Sequence, residues 1–182
     1  VLVKTKRAGL KNMFESAGIY MQNISTYTIG WKIAPRLNAA GRLDHASTAL
    51  ALMTAEDGLE AALLAESLNK TNAERQSLTE RVVEEAKAMV GEPKERAIVV
   101  LGEGWPAGIV GLVAGRLSNT FCRPTFVLTS TEDGKVVGSG RTSADFHLTE
   151  CLRGASDFLA HFGGHAGAAG FPRPISTGSA TP

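Results

Sequence analysis

The chain has 182 residues, 43% of them apolar and 20% charged, with a formal net charge of +1 and a mean hydropathy of zero. Those values describe a globular protein with enough apolar side chains for a core, and no run approaches the ~20 uninterrupted apolar residues that a membrane-spanning helix needs. The first residues do not read as a secretory signal, and Cys122 and Cys151 are too few for a disulfide scaffold and lack zinc-finger spacing, which points to a reducing, cytoplasmic setting.

The near-neutral total is an average over unlike parts. Residues 1–44 carry seven Lys/Arg against two Asp/Glu, residues 45–96 six against ten, and the remainder six against six, so a basic opening is followed by an acidic middle. Glycine is skewed the other way: 14 of the 20 lie between Gly102 and Gly178, grouped as GEGW, GSGR and GGHAGAAG. Residues 1–45 read as the closing part of a larger domain. KTKRAGLKNMFESAGI predicts a short amphipathic helix ended by Gly18, and a Thr/Ser/Asn-rich connection leads into YTIGWKIAPRLNAAGRL, mostly apolar but studded with Arg36, Asn38 and Arg42.

Between Asp44 and Val90 only Gly58 interrupts helical sequence. Asp44 or Ser47 is the expected cap of a helix through Met53, and Thr54 followed by Asp57 marks the start of a second. That helix has apolar Leu59, Ala62 and Leu63 near one end, Val82, Val83, Ala86 and Met89 near the other, and a polar NKTNAERQ centre, which predicts a strut packed at both ends and wet in the middle. After about Glu95 the period changes. RAIVVL reads as a strand, AGIVGLVAGRLSNTF as a helix rich in small residues, PTFVLT and KVVGSG as further strands, and Leu148–His161 as a last helix. The strand, helix, strand order is a right-handed βαβ unit. The fold class expected is therefore α/β: a long connecting helix, then a small α/β lobe with a mixed sheet and glycine-rich loops at one edge. The boundaries are 1–45, a connecting helical region 46–92, a lobe 93–172, and a polar tail 173–182 expected to be disordered.

Three constellations suggest chemistry. In FGGHAGAAGF the paired Gly163 and Gly164 allow backbone N–H groups to approach a ligand, His165 can donate to an anion, and Ala168, Ala169 and Gly170 keep the surface low; the loop suits a phosphate, the plain alternative being a tight turn with a surface histidine. In GSGRTS, Arg141 offers a planar fork for phosphate, with Gly138, Ser139, Gly140 and Ser143 around it; the alternative is a hairpin turn with one solvated arginine. In APRLNAAGRL, Arg36, Asn38 and Arg42 need partners if buried, so they belong either to an internal polar network or to a ligand surface.

Other patterns carry less. Gly102, Gly104 and Ala107 match a dinucleotide fingerprint, but Pro106 lies inside it and no acidic residue ends the next strand, so a nucleotide-cofactor module ranks behind. His161 and His165 are four apart with Gly163 and Gly164 between them, which defeats a helical metal pair, and Asp44-His45 sits at a helix start. No catalytic or metal-ligating residue is assigned within the chain.

Taken in order, APRLNAAGRL, NAERQ within a long helix, GEGWPAGIVGLVAGRL, GSGRTS and FGGHAGAAGF resemble the C-terminal half of the RecJ family, single-strand-specific DNA exonucleases of the DHH phosphoesterase superfamily, over about residues 8–171. The resemblance implies that 1–45 is the remnant of a catalytic DHH domain, that 46–92 is its connecting helix, and that 93–172 is the DHH-associated domain. It implies a 5′-to-3′ exonuclease of recombination and repair whose two Mn2+ or Mg2+ ions sit on aspartates and histidines upstream of Val1. This portion would bind single-stranded DNA against an N-terminal catalytic domain, away from any membrane, and would be inactive alone. Gly138 to Arg141, Ser143, Gly163 to His165 and Ala168 to Gly170 take the nucleic-acid contacts, and Arg36, Asn38 and Arg42 face the substrate or support the site. The family's His-Pro-Gly after the tryptophan is here Pro106-Ala107-Gly108, so no role of that histidine carries over. A relative within the superfamily acting on short oligonucleotides or cyclic dinucleotides shares the Gly-Gly-His signature, but APRLNAAGRL and GEGW favour the RecJ branch.

Overall fold

The computed structural model describes residues 2–43, 45–131, 134–143 and 145–173. Two compact units divide the chain, Val1–Leu78 and Thr79–Pro182, with the boundary inside one long helix.

In the first unit, helix α1 (Ala8–Ser16) buries Gly9, Met13 and Phe14. Gly9 is a contact residue, since a Cβ there would stand 1.7 Å from the Leu52 carbonyl oxygen of α3 (Ser47–Thr54). Helical turns run unbroken over residues 26–43, first as a π-helix (Thr28–Ile33) and then as α2 (Ala34–Leu43). Ser25 and Thr28 start this run by exchanging side-chain to backbone hydrogen bonds, each N–H donating to the other's hydroxyl at 3.2 Å. Met13, Phe14, Ile19, Ile33, Ala40 and Leu52 close on Ala61, Ala65 and Leu68 of the long helix α4 (Gly58–Val90).

Helix α4 departs from expectation in three ways. Its cap is Asp57, whose Oδ1 accepts the Glu60 N–H at 2.8 Å, while the Thr54 hydroxyl donates back to Leu50 and Ala51. Its buried stripe is Ala61, Ala65, Leu68 and Asn72, then Thr79, Val82, Val83 and Ala86, with half-buried Arg75 in the seven-residue step between Asn72 and Thr79. Leu59 and Leu63 lie off that stripe and are 72% and 61% exposed, and Met89 is exposed too. The polar centre is therefore not wet throughout, because Asn72 is buried and accepts from Arg75 Nη2 at 2.8 Å. Asp44, the alternative cap, lies outside the described residues, and α3 begins without a side-chain cap.

In the second unit, β1 (Ile98–Gly102), α5 (Ala107–Phe121) and β2 (Thr125–Ser130) form the expected parallel βαβ unit, with Ile98 opposite Thr125. The sheet continues antiparallel through β3 (Val136–Arg141) and β5 (Ala168–Arg173) to β4 (Gly163–His165), in the order β1-β2-β3-β5-β4. Helix α5 covers one face of β2 and β3 with Ile109, Val110, Val113, Ala114 and Leu117. The opposite face holds Phe126, Leu128, Ala169 and Phe171 under α6 (Leu148–Gly154). That helix is shorter than expected: it stops at Gly154, followed by a 3-10 turn over Ser156–Phe158. The glycine-rich segments are strands and not loops, because pairing of β5 with β3 and of β4 with β5 supplies the order that their side chains cannot. The tail expected to be disordered falls, from residue 174 on, outside the described residues.

Candidate functional site

Cross-strand register assembles the site. Arg141 on β3 stands opposite Ala168 on β5, which stands opposite His165 on β4. One row along, Ser139 faces Gly170, and Gly170 faces Gly163. Directly paired residues point to the same side of an antiparallel sheet, so all six share the face on which α5 lies. Beyond the edge of α5 this face is floored by small residues, with Gly163, His165 and Gly170 exposed. Two strand spacings put the backbones of Arg141 and His165 about 10 Å apart.

Each polar side chain is held. Arg141 donates from Nη1 to Ser139 Oγ at 2.9 Å and to the Gly140 carbonyl at 2.6 Å, and Ser139 donates in turn to the Ala169 carbonyl at 3.4 Å. His165 Nδ1 accepts the Gly167 N–H at 3.3 Å, which leaves Nε2 to carry the proton of the neutral ring and to donate outward. The hairpin tip between β4 and β5 is anchored by the Thr142 N–H on the Gly167 carbonyl at 3.2 Å and the Leu148 N–H on the Ala166 carbonyl at 2.9 Å. Gly164 is the position where only glycine fits: its φ is +146°, and a Cβ would stand 2.2 Å from the Ala168 carbonyl oxygen.

Two residues that the sequence did not single out belong to this arrangement. A Cβ on Gly111 of α5 would lie 2.9 Å from Arg141 Nη2 and 3.0 Å from Ser139 Oγ, and one on Gly115 would lie 3.9 Å from Arg141 Cγ. The arginine side chain thus lies along a glycine track on the helix, whose signal was the four-residue spacing within AGIVGLVAGRL.

Several expected contacts have other tasks. Gly138 and Gly140 point to the opposite face, where a Cβ would meet the Phe171 ring at 2.4 Å and the Phe126 ring at 2.8 Å; they make room for those rings and do not form a phosphate surface. Their strand is paired on both sides, so its backbone groups serve the sheet. Ala169 is buried with the same rings. Ser143 ties its loop to α5, its N–H donating to Ser118 Oγ at 3.1 Å and its hydroxyl to the Ser118 carbonyl at 3.2 Å. The fingerprint turn is filled by protein: a Cβ on Gly102 would stand 2.1 Å from the Trp105 ring, and the Trp105 indole N–H donates to Glu85 Oε2 at 2.8 Å.

In the first unit, Arg36 donates from Nε to Asn69 Oδ1 and from Nη1 to the Lys32 carbonyl, both at 2.5 Å, while Asn69 Nδ2 donates to the Ser16 carbonyl at 2.9 Å. That is an internal polar network, and burial lowers the pKa of the Arg36 guanidinium from its ordinary value. Asn38 is exposed and Arg42 half-buried. Among the described residues no three His, Cys, Asp or Glu side chains gather as a metal cage would require, so they do not fit a divalent ion. Cys122 and Cys151 are free thiols, and no described helix is long and apolar enough to cross a membrane.

The DHHA1 domain family matches residues 94–174, which contain β1 to β5. The single-stranded-DNA-specific exonuclease RecJ of Bacillus subtilis (strain 168) is 41% identical over 172 residues, covering 93% of this chain and 22% of its own length. RecJ of Thermus thermophilus is 38% identical over 164 residues, covering 90% and 23%. The crystal structure of RecJ with Mg2+ from Thermus thermophilus matches at a TM-score of 0.85 and 34% identity, over 95% of this chain and 27% of that one. The chain spans under a quarter of the length of the two curated relatives, at 22% and 23%. Along at least 90% of its sequence and in its fold the chain is similar to RecJ exonucleases, and residues 94–174 match the DHHA1 domain family.

Proposed function

We propose that this chain is the C-terminal, nucleic-acid-holding portion of a RecJ-like 5′-to-3′ single-stranded DNA exonuclease acting in recombination and repair in the cytoplasm. In this reading residues 1–45 close a catalytic DHH domain, 46–92 connect, and 93–172 form the DHH-associated domain. Single-stranded DNA lies on the row of Arg141, Ala168 and His165, with Ser139, Gly163 and Gly170 as its low floor, while Gly164 shapes the strand that carries His165. The observation that carries the reading is the register that lines up an arginine and an outward-donating histidine across three strands over a floor of glycine and alanine. Arginine's fork and the Nε2 proton are donors matched to phosphate oxygens. Hydrolysis uses Mn2+ or Mg2+ held by groups outside the described residues, and relatives have been crystallised with Mg2+ and with manganese. The chain by itself is expected to bind and not to cut.

Anisotropy of a fluorescent oligothymidylate across a salt series tests this. Arg141→Ala should weaken binding by about tenfold or more and lower the slope of log affinity against log salt by about one. A dinucleotide competing as well as the oligomer would favour a small-substrate phosphoesterase instead. Manganese-dependent cleavage by the purified chain that disappears with His165→Ala would overturn the expectation that it only binds.

A further inference from the structure

The hairpin that carries His165 has few contacts of its own. Strand β4 is three residues long, two of them glycine, and exposed throughout, and among the described residues it pairs only with β5. His165 stands opposite Ala168, so Ala166 and Gly167 make the whole turn. Both turn carbonyls are bound from outside the hairpin: Gly167 accepts from the Thr142 N–H just after β3, and Ala166 accepts from the Leu148 N–H at 2.9 Å. Leu148 can donate in this way because it is the first residue of α6, where a backbone N–H has no carbonyl of its own helix to meet. Its side chain is fully buried with Phe126 and Phe171, and a Cβ on Gly140 would lie 3.5 Å from its Cδ2.

The residue that sets this start is His147. Its backbone is extended, at φ −101° and ψ 95°, and its Nδ1 accepts the Glu150 N–H at 3.4 Å. With that lone pair in use the neutral ring carries its proton on Nε2, so the Thr149 hydroxyl, 3.0 Å from Nδ1, is a donor to it. Histidine is not among the residues that ordinarily take this position, and His147 is exposed, so its ring adds nothing to the core. Glu150 turns away to pair with Arg153 and does not share the task.

We propose that His147 is a positioning residue for His165. By ordering the first turn of α6 it fixes the Leu148 N–H, and through the Ala166 carbonyl it fixes the turn next to which the His165 ring stands. This rests on the reading of the sheet row as a phosphate site and adds to it a residue that touches no DNA.

Amide hydrogen exchange and oligonucleotide binding together test the link. In His147→Ala the Leu148 and Glu150 amides should exchange about 3- to 30-fold faster, as loss of a cap allows, and an oligothymidylate should bind about 3- to 10-fold less tightly with its salt slope unchanged. His147→Asn, whose side chain can accept the same N–H, should restore both, and because residue 147 is exposed neither variant opens the core. In a His165→Ala background, His147→Ala should cost no further affinity. Equal weakening by Asn and Ala would mean that the ring itself meets the DNA, and further loss in the His165→Ala background would mean that it acts through another group. Either result, or unchanged exchange at Leu148 in His147→Ala, overturns the proposal. Full affinity in Arg141→Ala and His165→Ala would instead remove the phosphate reading, while exchange measured without DNA still decides whether His147 holds the hairpin.

Discussion

Gly111 and Gly138 both sit inside regular elements of the second unit, yet a methyl group added to each meets opposite kinds of neighbour. At Gly111 the nearest atoms are the far end of the Arg141 side chain, Nη2 at 2.9 Å, and Ser139 Oγ. A flexible guanidinium can move aside, so Gly111→Ala should leave stability unchanged or raise it by up to about 1 kcal/mol through helix propensity. The displaced fork should then bind oligonucleotide several-fold less well, with the effect absent in an Arg141→Ala background. At Gly138 the neighbour is the Phe171 ring at 2.4 Å, locked in the core with Phe126, whose centroid is 6.2 Å from it. Gly138→Ala should cost about 1–3 kcal/mol as overpacking, read by urea unfolding, with affinity per folded molecule unchanged. The sequence placed Gly138 among the phosphate contacts and left Gly111 unmarked; the structure puts Gly111 against Arg141 and Gly138 against Phe171.

Helix α5 shows what an element can reveal in advance and what it cannot. Its sequence combines apolar residues at helical spacing with small ones, and its bounds, Ala107–Phe121, are those the pattern predicts. Its closing residue was not legible, because the left-handed position after Phe121 is occupied by Cys122 at φ 51° where a glycine would signal it. A side chain there is strained, and Cys122→Gly should stabilise the protein by a net of about 0.5–1 kcal/mol, the relief of strain exceeding the added freedom of the unfolded chain. Thermal unfolding under reducing conditions measures it, and a lower Tm would refute it. The glycine-rich strands were harder still. In GGH and AAGF no apolar alternation exists to announce β4 and β5; β5 owes its strand character to long-range pairing with β3, and β4 to the hairpin it makes with β5. Hence Arg141 and His165 could be singled out from their glycine neighbours, whereas the row that joins them, and the turning of Gly138, Gly140 and Ala169 to the opposite face, were not legible. Arg36 was legible as needing a partner; that the partner is Asn69 on α4 was not.

At the scale of the whole molecule, charge and edge exposure act together. Among the described residues strand β1 pairs only with β2, and Val99 and Leu101 are 70% and 50% exposed on the face away from α5. Phe158, 70% exposed, lines the same apolar groove with Phe126, Leu128 and Phe171. Residues 97–101 are AIVVL, uncharged and without proline, which is the composition that invites strand-to-strand association at an open edge. A protein with high net charge would oppose this by repulsion, but here the formal net charge is +1 and the isoelectric point is about 8.0, so mutual repulsion is weakest slightly above neutral pH. Lowering the pH below 8 adds positive charge and should disperse the protein, whereas raising salt near pH 8 should not. Val99→Lys places a charge on the edge itself without removing a core contact. It should change unfolding free energy by no more than about 0.5 kcal/mol while lowering the self-association measured by sedimentation or light scattering. Association equally strong in Val99→Lys and at pH 6 would mean that the β1 edge is not where copies of the chain meet.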